Sequence, residues 1–177
     1  MNRRNVMMKT LQIILATVLL TTIDSCDRNN CKNVVCQVNQ QCLDGGCYCA
    51  DGYEGTDCNT ESYLRYTSNG GTFNVVETCY SSSSNFFNYT CYVIPSTQVN
   101  RVLINNLFGI VASTTAFIRT DASTGKGTFI EIPQQQQGAF TYSGTGNYND
   151  FTNRMTINFN YTYNGGSYQC THTFYKQ

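Results

Sequence analysis

The chain has 177 residues, among them ten Cys, two Pro and no Trp, and its eleven Lys and Arg balance eleven Asp and Glu. A net charge of zero and a charged fraction of only 12% leave no basic run or patch of the kind nucleic acid requires, so no nucleic-acid partner is expected. Ten cysteines in so short a polar chain point to disulfides and hence to an oxidising compartment.

The N-terminus supplies a route there. Arg3, Arg4 and Lys9 form a basic front and Leu11 to Leu20 an apolar run. Together they read as a secretory signal over residues 1–25, too short for a comfortable membrane span. Ile23-Asp24-Ser25-Cys26 follows, with an aliphatic residue three before a Cys and Ser directly before it. It resembles the lipobox of bacterial lipoproteins, although Asp24 stands where that motif has a small or aliphatic residue. The resemblance implies cleavage before Cys26, acylation of its thiol, and a membrane anchor at the cell surface. Ordinary cleavage nearby is the competing reading; Cys26 would then seek a disulfide partner and the protein would be freely secreted. Loss of residues 1–25 removes three cations and one carboxylate, leaving a mature chain of charge about −2 and weak electrostatic steering.

Residues 26–30 form a polar tether, and residues 31–58 hold six cysteines: Cys31, Cys36, Cys42, Cys47, Cys49 and Cys58. Little else in this window is apolar, so covalent staples must replace a core. Six cysteines allow fifteen pairings, and spacing alone does not choose among them. A zinc site around Cys47-Tyr48-Cys49 is the weaker reading, because the only His is distant, at His172. The cysteine spacing, with Gly52-Tyr53 and Gly55 inside the last gap, resembles the epidermal-growth-factor-like module. That resemblance implies the pairs Cys31–Cys42, Cys36–Cys47 and Cys49–Cys58. Calcium-binding members of the family also carry acidic and amide residues before the first Cys and an Asn or Asp two residues after the third. Asp27, Asn29, Asn30 and Asp44 are therefore the candidate calcium ligands, against the alternative of an ordinary polar tether. The module's expected role is a rigid, protease-resistant spacer.

Residues 59–62 read as a linker, and 63–177 as one β domain. No helical period or cap is evident there. The clearest strand runs from Met155 to Tyr163 in strict alternation; Asn164-Gly165-Gly166 turns the chain and Tyr168–Phe174 returns. Earlier candidates are Thr72–Tyr80, Phe87–Ile94, Arg101–Leu107, Ala112–Thr120, Thr128–Ile132 and Ala139–Gly146, with Gln134–Gln137 expected as a loop. Eight short strands joined by tight turns predict an antiparallel up-and-down barrel, with a β-sandwich as the alternative. The pattern resembles the lipocalin-like (calycin-type) barrels of bacterial surface lipoproteins. It does so in Gly71-Thr72-Phe73, the stretch Val102–Gly109, Ile132-Pro133 with its Gln-rich sequel, Ser143–Gly146 and the last hairpin bearing Cys170.

Three cysteines remain in this domain. Antiparallel closure of the first strand on the last sets Cys79 opposite Cys170 and Glu77 opposite His172. A seam disulfide Cys79–Cys170 is expected, with Cys79–Cys91 as the rival; the first pairing leaves Cys91 as a buried thiol. Catalytic machinery would have to centre on His172, with Glu77 and Cys91, or on Glu131 and Asp150 as a carboxylate pair, and no motif supports either. The expected function is therefore non-enzymatic. A surface-anchored barrel would bind a small apolar or glycan ligand among Phe73, Phe86, Phe87, Phe117, Phe140, Tyr142, Phe159 and Tyr161. The alternative is a solid barrel that contacts another surface protein.

Overall fold

A computed structural model describes residues 30–80 and 87–177. The signal segment, Cys26, Asp27, Asn29 and Phe86 lie outside the described residues. The chain is mainly β. A disulfide-rich N-terminal module carries two small hairpins, β1 (Gln40–Leu43) with β2 (Gly46–Cys49) and β3 (Tyr53–Glu54) with β4 (Thr60–Glu61). Then come a one-turn helix α1 (Leu64–Thr67) and a 3-10 turn over Ser68–Gly71. Eight strands follow: β5 (Thr72–Cys79), β6 (Phe87–Pro95), β7 (Arg101–Leu107), β8 (Val111–Asp121), β9 (Lys126–Gln137), β10 (Phe140–Asn149), β11 (Arg154–Tyr163) and β12 (Gly166–Lys176).

Each of these strands pairs antiparallel with the next, and β12 returns to β5, so the sheet closes as an up-and-down barrel. Closure rules out the sandwich. Period-two alternation decides which side chains enter. In β11, Met155, Ile157 and Phe159 are buried while Thr156, Asn158 and Asn160 face solvent. Phe73, Val75, Ile104, Ile118, Ile130 and Phe174 from the other strands complete the buried core. Along the β12–β5 seam Cys170 faces Cys79 and His172 faces Glu77.

Among the described residues four disulfides are formed: Cys31–Cys42, Cys36–Cys47, Cys49–Cys58 and Cys79–Cys170, the last with Cα atoms 4.0 Å apart. Cys91 is a buried free thiol.

Several local expectations change. The Gln-rich segment is strand, not loop: β9 runs through Pro133 to Gln137. Pro133 has no N–H to give, and the β8–β9 backbone ladder ends at Phe117 and Glu131. Beyond that point glutamine amides replace backbone groups. Gln135 accepts from the Thr115 amide at 3.1 Å and donates to the Thr115 carbonyl at 2.8 Å, and Gln137 accepts from the Ala112 amide at 3.1 Å.

Residues 63–71, expected to lack helix, form α1 and the 3-10 turn. No cap or periodicity holds them. Tertiary anchoring does: Tyr66 is fully buried, donates to the Gly127 carbonyl at 2.8 Å, and meets the Tyr148 ring edge-on at 5.3 Å. Gly71, at φ +60°, ends this turn where a Cβ would lie 2.0 Å from the Val93 carbonyl oxygen. The segment thereby closes one end of the barrel.

The expected linker is likewise structured. Thr60 and Glu61 pair with Glu54 and Tyr53, and Ser62 is buried. The module is clamped to the closed end. Asp51 accepts from Arg119 and from the Thr120 amide, both at 2.9 Å, and Thr120 donates to the Tyr53 carbonyl at 2.9 Å. Glu54 accepts two bonds from Arg65 at 2.7 Å and one from the Gly127 amide at 3.0 Å. Arg65 also pairs with Asp150, which Lys126 holds at 2.9 Å. Gly52, at φ +92°, sits so close that a Cβ would meet the Asn100 backbone at 2.7 Å.

Candidate functional site

The opposite end of the barrel is framed by the β7–β8, β9–β10 and β11–β12 turns. Alternation sends Glu77, Tyr89, Phe140, Tyr142, Phe159, Tyr161 and His172 towards the interior near this mouth. One further ring comes from a turn. Phe108, in the β7–β8 connection, has φ +57°, flanked by Asn106 at +61° and Gly109 at +72°. A left-handed backbone costs a bulky residue about 1–2 kcal/mol, and here packing offsets that cost. The Phe108 ring lies 4.8 Å from Phe140, 5.7 Å from Tyr142, 5.0 Å from Phe159, 5.2 Å from Tyr161 and 4.8 Å from His172, edge-on to each. Edge-to-face contacts of this kind each contribute about 0.5–1.5 kcal/mol beyond area burial. Phe108 stoppers the mouth.

Beneath the stopper lies a polar group. Tyr161 donates to Glu77 Oε1 at 2.9 Å, and the Tyr89 hydroxyl contacts His172 Nδ1 at 2.8 Å. His172 Nε2 is buried with no hydrogen-bond partner, 3.7 Å from Glu77 Oε2. Burial lowers the His172 pKa to about 3, so the ring is neutral. Burial also raises the Glu77 carboxyl, while the Tyr161 hydrogen bond pulls it down. Burial drives the Tyr161 and Tyr89 phenols upward, so both stay protonated donors. The Tyr89 contact suits either tautomer, and the Glu77 oxygen 3.7 Å from Nε2 favours the one with the His172 proton on Nε2. Among the described residues no Lys or Arg pairs with Glu77.

Glu77 lies beside the Cys79–Cys170 sulfurs, with Oε1 3.0 Å from Cys79 Sγ. Bonded to each other, those sulfurs are not thiolates, so the three residues form no metal site. Of the candidate calcium ligands, Asp44 occupies the β1–β2 turn at φ +50° with Asn30 packed on the adjacent Gly45, while Asp27 and Asn29 lie outside the described residues.

The other sequence candidates scatter. Burial pushes the Cys91 thiol up to about 12, away from nucleophilic chemistry. Glu131 is engaged by Arg119, and Asp150 by Arg65 and Lys126, so they share no site. Phe117 was expected to line the interior; it faces outward instead, between the guanidinium groups of Arg101 at 4.5 Å and Arg119 at 5.3 Å. Sequence reasoning missed Phe108 and Tyr89. Tyr89 shares the alternating face of Cys91 and Val93, a signal that could have found it. Phe108 breaks its strand's alternation and gave no such signal.

Compared with known proteins, the chain matches no family model, no curated protein and no solved structure.

Proposed function

We propose that this chain is an exported, non-enzymatic binding protein whose barrel mouth receives a small ligand with an apolar body. The carrying observation is the ring of Phe140, Tyr142, Phe159, Tyr161 and His172 around Phe108, a stopper borne on a turn rather than on a strand. Aromatic walls with a few convergent polar groups are what small-molecule sites require. The cysteine spacing supports a growth-factor-like module, and the closed barrel supports a lipocalin-like domain. Acylation of Cys26 would anchor the whole at a cell surface, a reading that rests on the sequence motif. A buried, neutral His172 beneath the stopper favours binding over catalysis.

The large buried apolar cluster below the mouth favours a second reading, a solid barrel that presents its outer face to another surface protein. The two readings part in a titration of the full chain with phenethyl alcohol, followed by NMR of its single imidazole. Saturable perturbation of the His172 signal is the outcome for a ligand mouth. A signal unmoved by phenethyl alcohol, in the wild type and in Phe108→Ala alike, supports the solid barrel.

A further inference from the structure

The polar group under Phe108 has a composition that aromatic filling alone does not explain. Glu77 is almost wholly buried, its side chain only 6% exposed, and one of its oxygens takes a hydrogen bond from Tyr161. Facing it across the strands are Tyr89 of β6, Tyr161 of β11 and His172 of β12, all uncharged donors or rings. A carboxylate withdrawn from water is ordinarily paired with a cation, and among the described residues none is supplied. The rings above it present π faces and edges, and aromatic faces attract cations held over them. A carboxylate beneath an aromatic ring set is the chemistry that recognises an organic ammonium group attached to a planar apolar body. A metal ion fits poorly: one carboxylate, one imidazole and two bonded sulfurs fall short of the oxygen-rich shell that calcium or magnesium needs.

Resting on the reading of the mouth as a ligand site, we infer that this site takes a small arylalkyl amine, with its ammonium group on Glu77 and its ring in the place of Phe108. Phe108 is then the built-in occupant, holding the cage closed until a ligand ring replaces its own. The ligand ring needs only the volume that the Phe108 ring gives up, among Phe140, Tyr142, Phe159, Tyr161 and His172. The exchange trades one phenyl ring for another and adds an ion pair that the Phe108-filled site lacks. His172 stays neutral and so does not compete with an ammonium group for Glu77, whose carboxylate is held by the Tyr161 hydrogen bond.

The test compares phenethylamine with phenethyl alcohol, which shares its ring and chain but carries no charge. Calorimetry uses the full chain with its disulfides formed, near neutral pH. The expected result is a preference for the amine of about tenfold or more, lost in Glu77→Gln while the alcohol binds as before. Phe108→Ala should tighten both ligands by removing the competitor. Equal affinity for amine and alcohol in the wild type would overturn the inference and leave the apolar mouth standing. This comparison needs no variant, so it holds even if Glu77→Gln fails to fold. Amine binding to Phe108→Ala but not to the wild type up to millimolar concentration would also overturn it, because the stopper would then be permanent. Failure of both compounds in both proteins would overturn the ligand mouth itself.

Discussion

The Tyr89 hydroxyl and His172 Nδ1 are 2.8 Å apart inside the barrel, a contact that reaches across β5 to tie β6 to the β12 imidazole. Its pKa of about 3 is set by burial. In the unfolded chain the same imidazole titrates near ~6.5. Between those values the unfolded state binds the extra proton, so His172 favours folding above that window and its contribution is lost as the pH falls through it. Glu77, raised by burial, acts in the opposite direction: its contribution is present below the ordinary carboxylate range and is lost as pH rises through its folded value. Below pH ~4.5 the His172 effect acts without that opposition. We expect urea stability to fall on acidification, and His172→Leu to reduce that dependence by about one proton, or about 1.4 kcal/mol per pH unit. Since His172 is the only histidine, its NMR signal reads the titration directly, and a midpoint near 6 would contradict the account.

The two arginines of the module junction should behave very differently. Arg65 is 12% exposed and faces Glu54 at 14%, so Arg65→Ala strands a largely covered carboxylate that keeps only the Gly127 amide, and should cost about 2–3 kcal/mol. Arg119 is 42% exposed between Asp51 and Glu131; solvent screens it, and Arg119→Ala should cost no more than about 1 kcal/mol. Urea denaturation of both variants gives the comparison. Equal losses would mean that packing around Gly52 and Ser62, rather than charge, holds the junction.

Cys79 and Cys170 are 91 residues apart in sequence, so their bridge encloses nearly the whole barrel. Loop-closure entropy assigns such a cross-link about 4.6 kcal/mol. Replacing both cysteines by Ala should lower the unfolding midpoint accordingly, with the seam still paired through its backbone ladder. A midpoint unchanged from wild type would show that residual structure in the unfolded chain already keeps the two strands together without the bridge.

What could be read from the sequence followed the two-residue period. Strand alternation placed Glu77 and His172 two positions from the cysteines of the seam, and barrel closure set them side by side. Where the backbone departs from that period, the reading failed. Pro133 interrupts the β8–β9 ladder, and side-chain amides of Gln135 and Gln137 continue it, an exchange that composition disguises as low complexity. Phe108 turns inward through a left-handed backbone that favours Gly or Asn, so nothing in its sequence context marks it as a core ring. The junction between module and barrel was hidden for another reason. Asp51 and Arg119 are 68 residues apart, and their partnership exists only once both parts are folded.

The junction also gives the molecule a polarity. Asp51, Glu54, Arg65 and Tyr66 all work at the end of the barrel where the chain enters, and Phe108 stands at the other. With no slack segment between Cys58 and β5, the module cannot swing independently; it acts as a fixed stem. The stem and the stoppered mouth thus lie at opposite ends of the barrel, so a partner that grips the module leaves Phe108 uncovered.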